Sequence, residues 1–124
     1  MPVDMAKESG DLVVVRISEK FTAEEMTRVQ NTAIEMLKTQ ASLRVLALLE
    51  GFEGWEKGEG WDDMTFLMTA ADKITRMAFV GEPRWKEEIY MFTGKGLRAT
   101  EIEFFGAEAD ARAWLDRPSE TGGL

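Results

Sequence analysis

The residues of this chain best equipped to do chemistry are carboxylates and tryptophans, and many of them fall between Glu50 and Asp63. That segment, EGFEGWEKGEGWDD, sets Glu50, Glu53, Glu56, Glu59, Asp62 and Asp63 against Lys57 alone. Paired acids at a suitable separation can hydrolyse glycosides or hold a hard cation. The Asx-rich spacing of a calcium loop is missing here. Gly51, Gly54, Gly58 and Gly60 do not spell GxGxxG and no GK[ST] follows, so the segment is not a nucleotide loop. Its acids would also repel a phosphate. Gly94-Lys95-Gly96 reads as a helix stop. The same segment carries Phe52, Trp55 and Trp61, and Trp85 lies further along. Aromatics set among glycines can line an apolar site or pin a loop to the core.

Composition removes several alternatives. The chain has 124 residues, enough for one domain with a real core. It holds no cysteine and no histidine, so disulfides, thiol chemistry, His or Cys zinc sites and histidine-based triads are excluded. The formal charge of −8 repels phosphate backbones and anionic membrane surfaces. No nucleic-acid partner is expected. MPVDMAKESGD lacks the basic and apolar regions of a secretory signal, and no apolar run reaches the ~20 residues of a membrane span. A cytoplasmic protein with no integral membrane segment is the default expectation.

The elements that must position these residues follow from periodicity. Leu12 to Ile17 is apolar and β-branched and predicts a buried strand. Ser9-Gly10-Asp11 is turn-like, which makes Pro2 to Glu8 an antiparallel edge strand. Thr22 and Glu25 form a capping box, with Phe21 and Met26 at the staple positions, and Met26, Val29, Ala33, Met36 and Leu37 share one helical face. Leu43 to Leu49 predicts a central parallel strand covered on both faces. Asp62 or Asp63 caps a helix running to about Lys73. Thr75 to Val80 predicts a third main strand, and Pro83 opens a helix with Trp85, Ile89 and Phe92 spaced i, i+4, i+7. Thr100 to Phe105 alternates like an edge strand, with Ile102 and Phe104 on one face. Ala107 to Asp116 closes the fold, with Ala111, Trp114 and Leu115 inward. The expectation is an α/β fold: a mostly parallel four- to five-stranded sheet with alternating helices, in one domain over 1–118 and a frayed tail over 119–124.

Trp55 and Trp61 flank the second strand–helix junction and Trp85 follows the third. In parallel α/β sheets these junctions share the C-terminal edge, where ligands bind. Tryptophan at helical spacing is also ordinary core, so packing alone competes with a ligand site at these positions.

Phe52-Glu53-Gly54-Trp55, Trp61-Asp62-Asp63, Ala78-Phe79-Val80-Gly81 with Trp85, and Ala113-Trp114-Leu115 together resemble the SpoIIAA-like family of STAS-type domains. The element order fits over roughly Leu12 to Asp116. The resemblance implies a small mixed sheet with helices against it, and kinship with anti-anti-sigma factors and CRAL/TRIO-type lipid-binding folds. Anti-anti-sigma factors carry a phosphorylatable Ser or Thr at the start of the helix after the central strand. Leu43 to Met64 contains no hydroxyl residue, and Thr65 lies inside the expected helix. The phosphoswitch therefore does not transfer. Glu59 or Asp62 mimics a phosphoserine only weakly, since a carboxylate carries less charge.

Three functions are weighed in order. The first is a non-enzymatic module binding a small hydrophobic or lipid-like ligand at Phe52, Trp55, Trp61 and Trp85, with Glu59, Asp62 and Glu82 as polar or phosphomimetic groups. The second is a regulatory protein-interaction domain, anti-anti-sigma-like and homodimeric, whose partner is a sigma-regulator or transporter-like protein. The third is a carboxylate-based enzyme using Glu59, Asp62 and Glu82 with Arg84 as a charge clamp. No cofactor, no metal and no catalytic residue is assigned.

Overall fold

Val3–Ser9 (β1) and Leu12–Phe21 (β2) form a hairpin turned at Gly10, whose φ of +53° suits a residue without Cβ. In the computed structural model, which describes residues 3–56, 73–93 and 100–117, Leu43–Trp55 (β3), Ile74–Val80 (β4) and Glu101–Phe105 (β5) complete the sheet. The spatial order is β1-β2-β3-β4-β5. β1 is antiparallel to β2, and every other neighbouring pair is parallel. Ala23–Met36 (α1), Lys86–Thr93 (α2) and Glu108–Asp116 (α3) are its described α-helices. This is the single α/β layer domain expected, with an antiparallel edge on a parallel sheet.

β3 is central, and its residues face two cores. Val45, Ala47 and Leu49 join Val13, Val15, Ile17, Phe79 and Ile102 under α1 and α2. Leu46 and Leu48 join Leu12, Val14 and Ala78 on the other face, where Ala111 and Leu115 of α3 cover them. The expected inward positions of α3 are thus occupied, with Trp114 half-buried against Phe105.

The capping box forms as its spacing requires. Glu25 N–H donates to Thr22 Oγ1 at 3.1 Å, and Thr22 N–H donates to Glu25 Oε1 at 2.9 Å. Thr22→Ala is expected to cost about 1 kcal/mol, read as a lower urea midpoint at unchanged m-value.

Two expectations are corrected. β2 and β3 run past Ile17 and Leu49, so Glu50 to Trp55 is strand rather than loop. Each strand supplies the other's missing partner: Glu19 pairs with Phe52, Lys20 with Gly54 and Phe21 with Trp55. The register slips twice on the way, and β3 absorbs extra residues where Gly51 (φ +68°) and Gly54 (φ +99°) stand. Those glycines shape bulges rather than cradle an anion. In addition, Pro83–Trp85 is a 3-10 turn, and α2 begins only at Lys86. The helix expected from Asp62 or Asp63, together with the 119–124 tail, lies outside the described residues.

α3 is tied to the sheet edge by Arg112. Its guanidinium forks onto Glu8 at 2.6 and 2.9 Å, and Nε donates to Glu108 at 2.8 Å. The hydrogen bond from Arg112 holds the Glu8 carboxyl below its ordinary value of 4.5, and Glu8 and Glu108 in turn raise the Arg112 pKa. A depressed carboxylate stabilises the fold above its unfolded pKa, and that stabilisation is lost as pH falls through the folded value. The wild type is expected to exceed Glu8→Gln in denaturation midpoint at pH 7. The two should begin to converge as pH falls below about 4.5 and meet only below the lowered folded-state pKa of Glu8, where its carboxyl is uncharged in both states. Curves that stay parallel would show that the fork does not stabilise the fold.

Candidate functional site

The C-terminal ends of β3 and β4 carry an aromatic cluster. β3 delivers Phe52, which is buried, and Trp55, which is half-buried. β4 ends at Val80, and the 3-10 turn opened by Pro83 brings Trp85 back over the end of β3. The Phe52 and Trp85 rings lie 4.9 Å apart and the Phe52 and Trp55 rings 5.2 Å, both edge-on. Trp55 and Trp85 meet edge-on at 6.1 Å. Phe92 of α2 lies against Trp55 at 5.2 Å. Edge-to-face pairs of this kind add about 1 kcal/mol each beyond their area burial. The approach is close enough that a Cβ on Gly54 would stand 3.3 Å from Trp85 Cη2.

The outer face of Trp85 is covered by charge. The Arg84 guanidinium sits 4.7 Å from the ring centroid, and its Nε donates to Glu82 at 2.8 Å. Glu82 and Arg84, the pair expected to serve an enzyme, are therefore two exposed neighbours bonded to each other. Among the described residues the partner of Glu82 is Arg84. Tyr90 is the one tyrosine of the chain. Burial and the nearby Glu103 raise its pKa, so its hydroxyl stays protonated and donates to Glu103 Oε1 at 3.3 Å. Among the described residues no three side chains gather that could hold a metal ion.

The structure thus brings together Phe52, Trp55 and Trp85. Trp61, Glu59 and Asp62 lie outside the described residues. Phe92, not assigned to the site, adjoins it through Trp55, and Met91 is its neighbour in sequence. Phe92, expected to be core, is 40% exposed, and Met91 beside it is 83% exposed. The i, i+7 spacing from Trp85 to Phe92 put both on one side and was the available signal for Phe92. Nothing in the pattern marked Met91.

The model of the SpoIIAA-like family matches residues 12–116. The chain belongs to the SpoIIAA-like family. A solved neighbour of this SpoIIAA-like domain is an uncharacterized protein of the DUF3478 family from Shewanella loihica PV-4, described as having a SpoIIAA-like fold. It is 18% identical, with a TM-score of 0.64 over 91% of each chain. At that identity the likeness carries the fold alone. No curated protein matches the chain. No helix among the described residues of the SpoIIAA-like domain is long and apolar enough to cross a membrane.

Proposed function

We propose that this SpoIIAA-like domain is a non-enzymatic binding module that holds a small hydrophobic or lipid-like ligand against Phe52, Trp55 and Trp85. The observation that carries the reading is the convergence of these rings with Phe92 at the carboxyl ends of parallel strands, with their rim open to solvent. Ligands of open α/β sheets bind beyond those ends. A large apolar group left in water at such a place supports contact with something apolar. Among the described residues, the ionisable groups next to the Trp85 ring are Glu82 and Arg84, bonded to each other, which supports binding over turnover.

The test is a titration of protein carrying labelled methionine methyls with a fatty acid and with phospholipid, followed by NMR and native mass spectrometry. Saturable shifts at Met91 and at the Trp55 and Trp85 indole N–H signals are expected. Phe92→Ser, at a half-exposed ring, is expected to weaken binding about tenfold, equivalent to ~1.4 kcal/mol. Unchanged spectra up to roughly millimolar ligand, where binding is worth only ~4 kcal/mol, would reject the ligand reading. The 83% exposure of Met91 favours a second reading, in which the same face docks a regulatory protein or a second copy. Met91→Lys would then abolish the complex seen by sedimentation.

A further inference from the structure

The outer arc of α2 continues the aromatic cluster into solvent. Glu87 stands one turn before Met91 and Glu88 one turn before Phe92, and residues three and four apart are neighbours on a helix surface. These four side chains therefore form one contiguous arc, while Ile89 and Thr93 of the same helix are buried. Glu87 and Glu88 are exposed, Met91 is 83% exposed and Phe92 40%. Among the described residues, Met91 and Phe92 are the large hydrophobic side chains left in water, and they are consecutive rather than scattered. Phe92 joins the arc to Trp55, with 5.2 Å between ring centroids. Lys86, the one base of the helix, lies instead over the Tyr90 ring at 5.9 Å.

We propose that this arc docks a basic amphipathic helix of a partner protein, whose apolar side chains seat on Met91, Phe92 and the rim of Trp55 while its lysines or arginines face Glu87 and Glu88. This partner belongs to the docking reading of the face and would not follow from the ligand reading alone. Charge complementarity chooses the occupant. Acids beside exposed apolar side chains match a helix whose apolar stripe is bordered by bases. A second copy is a poor match. In a two-fold contact the patch meets itself, so Glu87 and Glu88 would face their own counterparts on chains that each carry −8. An anionic membrane surface meets the same repulsion. α2 has 8 residues, about 12 Å of axis, which a partner helix of roughly three turns spans.

The experiment titrates three peptides into the full chain at low salt and follows the Met91 methyl and Trp55 indole signals. The peptides are a lysine–leucine amphipathic helix, its glutamate–leucine counterpart, and a lysine–serine peptide of the same charge as the first. Saturable shifts with the lysine–leucine peptide alone are expected. Glu87→Gln with Glu88→Gln should weaken binding about threefold to tenfold, as the loss of two exposed ion pairs would, and should flatten its salt dependence. Met91→Gln should weaken binding about tenfold and leave the salt dependence as it is. Glu35→Gln with Asp110→Asn removes two exposed acids from α1 and α3 and should change nothing. Acids in a first turn also favour the helix dipole, so the amide spectrum of α2 is compared in every variant, and the salt response is a readout that a merely structural role would not move. Equal weakening by the Glu35 and Asp110 changes, or equal binding of the lysine–serine peptide, would overturn the proposal as unspecific attraction. Equal binding of the glutamate–leucine peptide, or self-association lost in Met91→Gln, would overturn it and leave the docking reading standing. No saturable shift up to about 1 mM peptide, together with no self-association, would overturn both.

Discussion

Arg76→Met is expected to destabilise the protein by about 3 kcal/mol, or ~10 °C in Tm for a domain of this length. Arg76 stands in β4 with its side chain only 8% exposed. Nε donates to Glu101 of β5 at 2.8 Å, and Nη1 donates to the Trp114 carbonyl at 2.9 Å and the Arg117 carbonyl at 2.5 Å. The guanidinium also lies 5.3 Å from the Trp114 ring centroid. One side chain thus closes the sheet edge and adds a hydrogen bond to the Trp114 carbonyl, which also accepts from Arg117 N–H, and one to the Arg117 carbonyl, both at the C-terminal end of α3. Arg44 of β3 does the same for the Leu115 carbonyl at 2.6 Å while pairing with Asp11. Glu101 is half exposed, so the ion pair itself contributes little, and most of the loss comes from the lost hydrogen bonds to the two carbonyls and the vacated space. Arg76→Lys should therefore rescue less than half of the loss, because an ammonium cannot fork onto three acceptors in one plane. Urea denaturation of both variants checks this. Equal stability of wild type and Arg76→Met would show that water serves those carbonyls as well as the arginine does.

Gly54→Val is the second large effect, expected at about 3 kcal/mol. Its φ of +99° excludes a β-branched side chain, and the new Cβ would press on Trp85 Cη2 from 3.3 Å. Gly51→Ala provides the contrast. Its φ is +68°, and its Cβ would meet nothing within 4 Å, so about 1 kcal/mol is expected. The excess at Gly54 combines the strain of a β-branched residue at φ +99° with the contact against Trp85. Near-UV circular dichroism should change for Gly54→Val and stay constant for Gly51→Ala. Loss of hydrophobic-ligand binding in Gly54→Val, with binding kept in Gly51→Ala, would follow if Trp85 is part of the contact surface.

Much of the fold was legible because its signals are local. The capping box at Thr22 and Glu25, the apolar runs at Leu12 and Leu43 and the alternation at Ile102 and Phe104 each lie within a few residues of one another. They specify an element before any partner exists. The clustering of Phe52, Trp55 and Trp85 was legible too, since parallel strands bring successive strand ends to one edge. Trp85 was assigned to a helix but sits in a turn, because Pro83 tightens the first residues into a 3-10 conformation.

What sequence alone determined here is the α/β class, the element order, the buried faces and the chemistry that the chain lacks: no thiol, no imidazole, and no hydroxyl between Leu43 and Met64. Tertiary structure alone decided that Glu50 to Trp55 is strand, that Phe92 faces partly outward, and that Arg76 is buried. Each of these depends on a partner far away in sequence: β2 for the bulged end of β3, Trp55 for Phe92, and the end of α3 for Arg76. A residue's own neighbours set its conformational preference, but burial and hydrogen-bond satisfaction belong to pairs of surfaces, and those surfaces exist only once the sheet has closed over its helices.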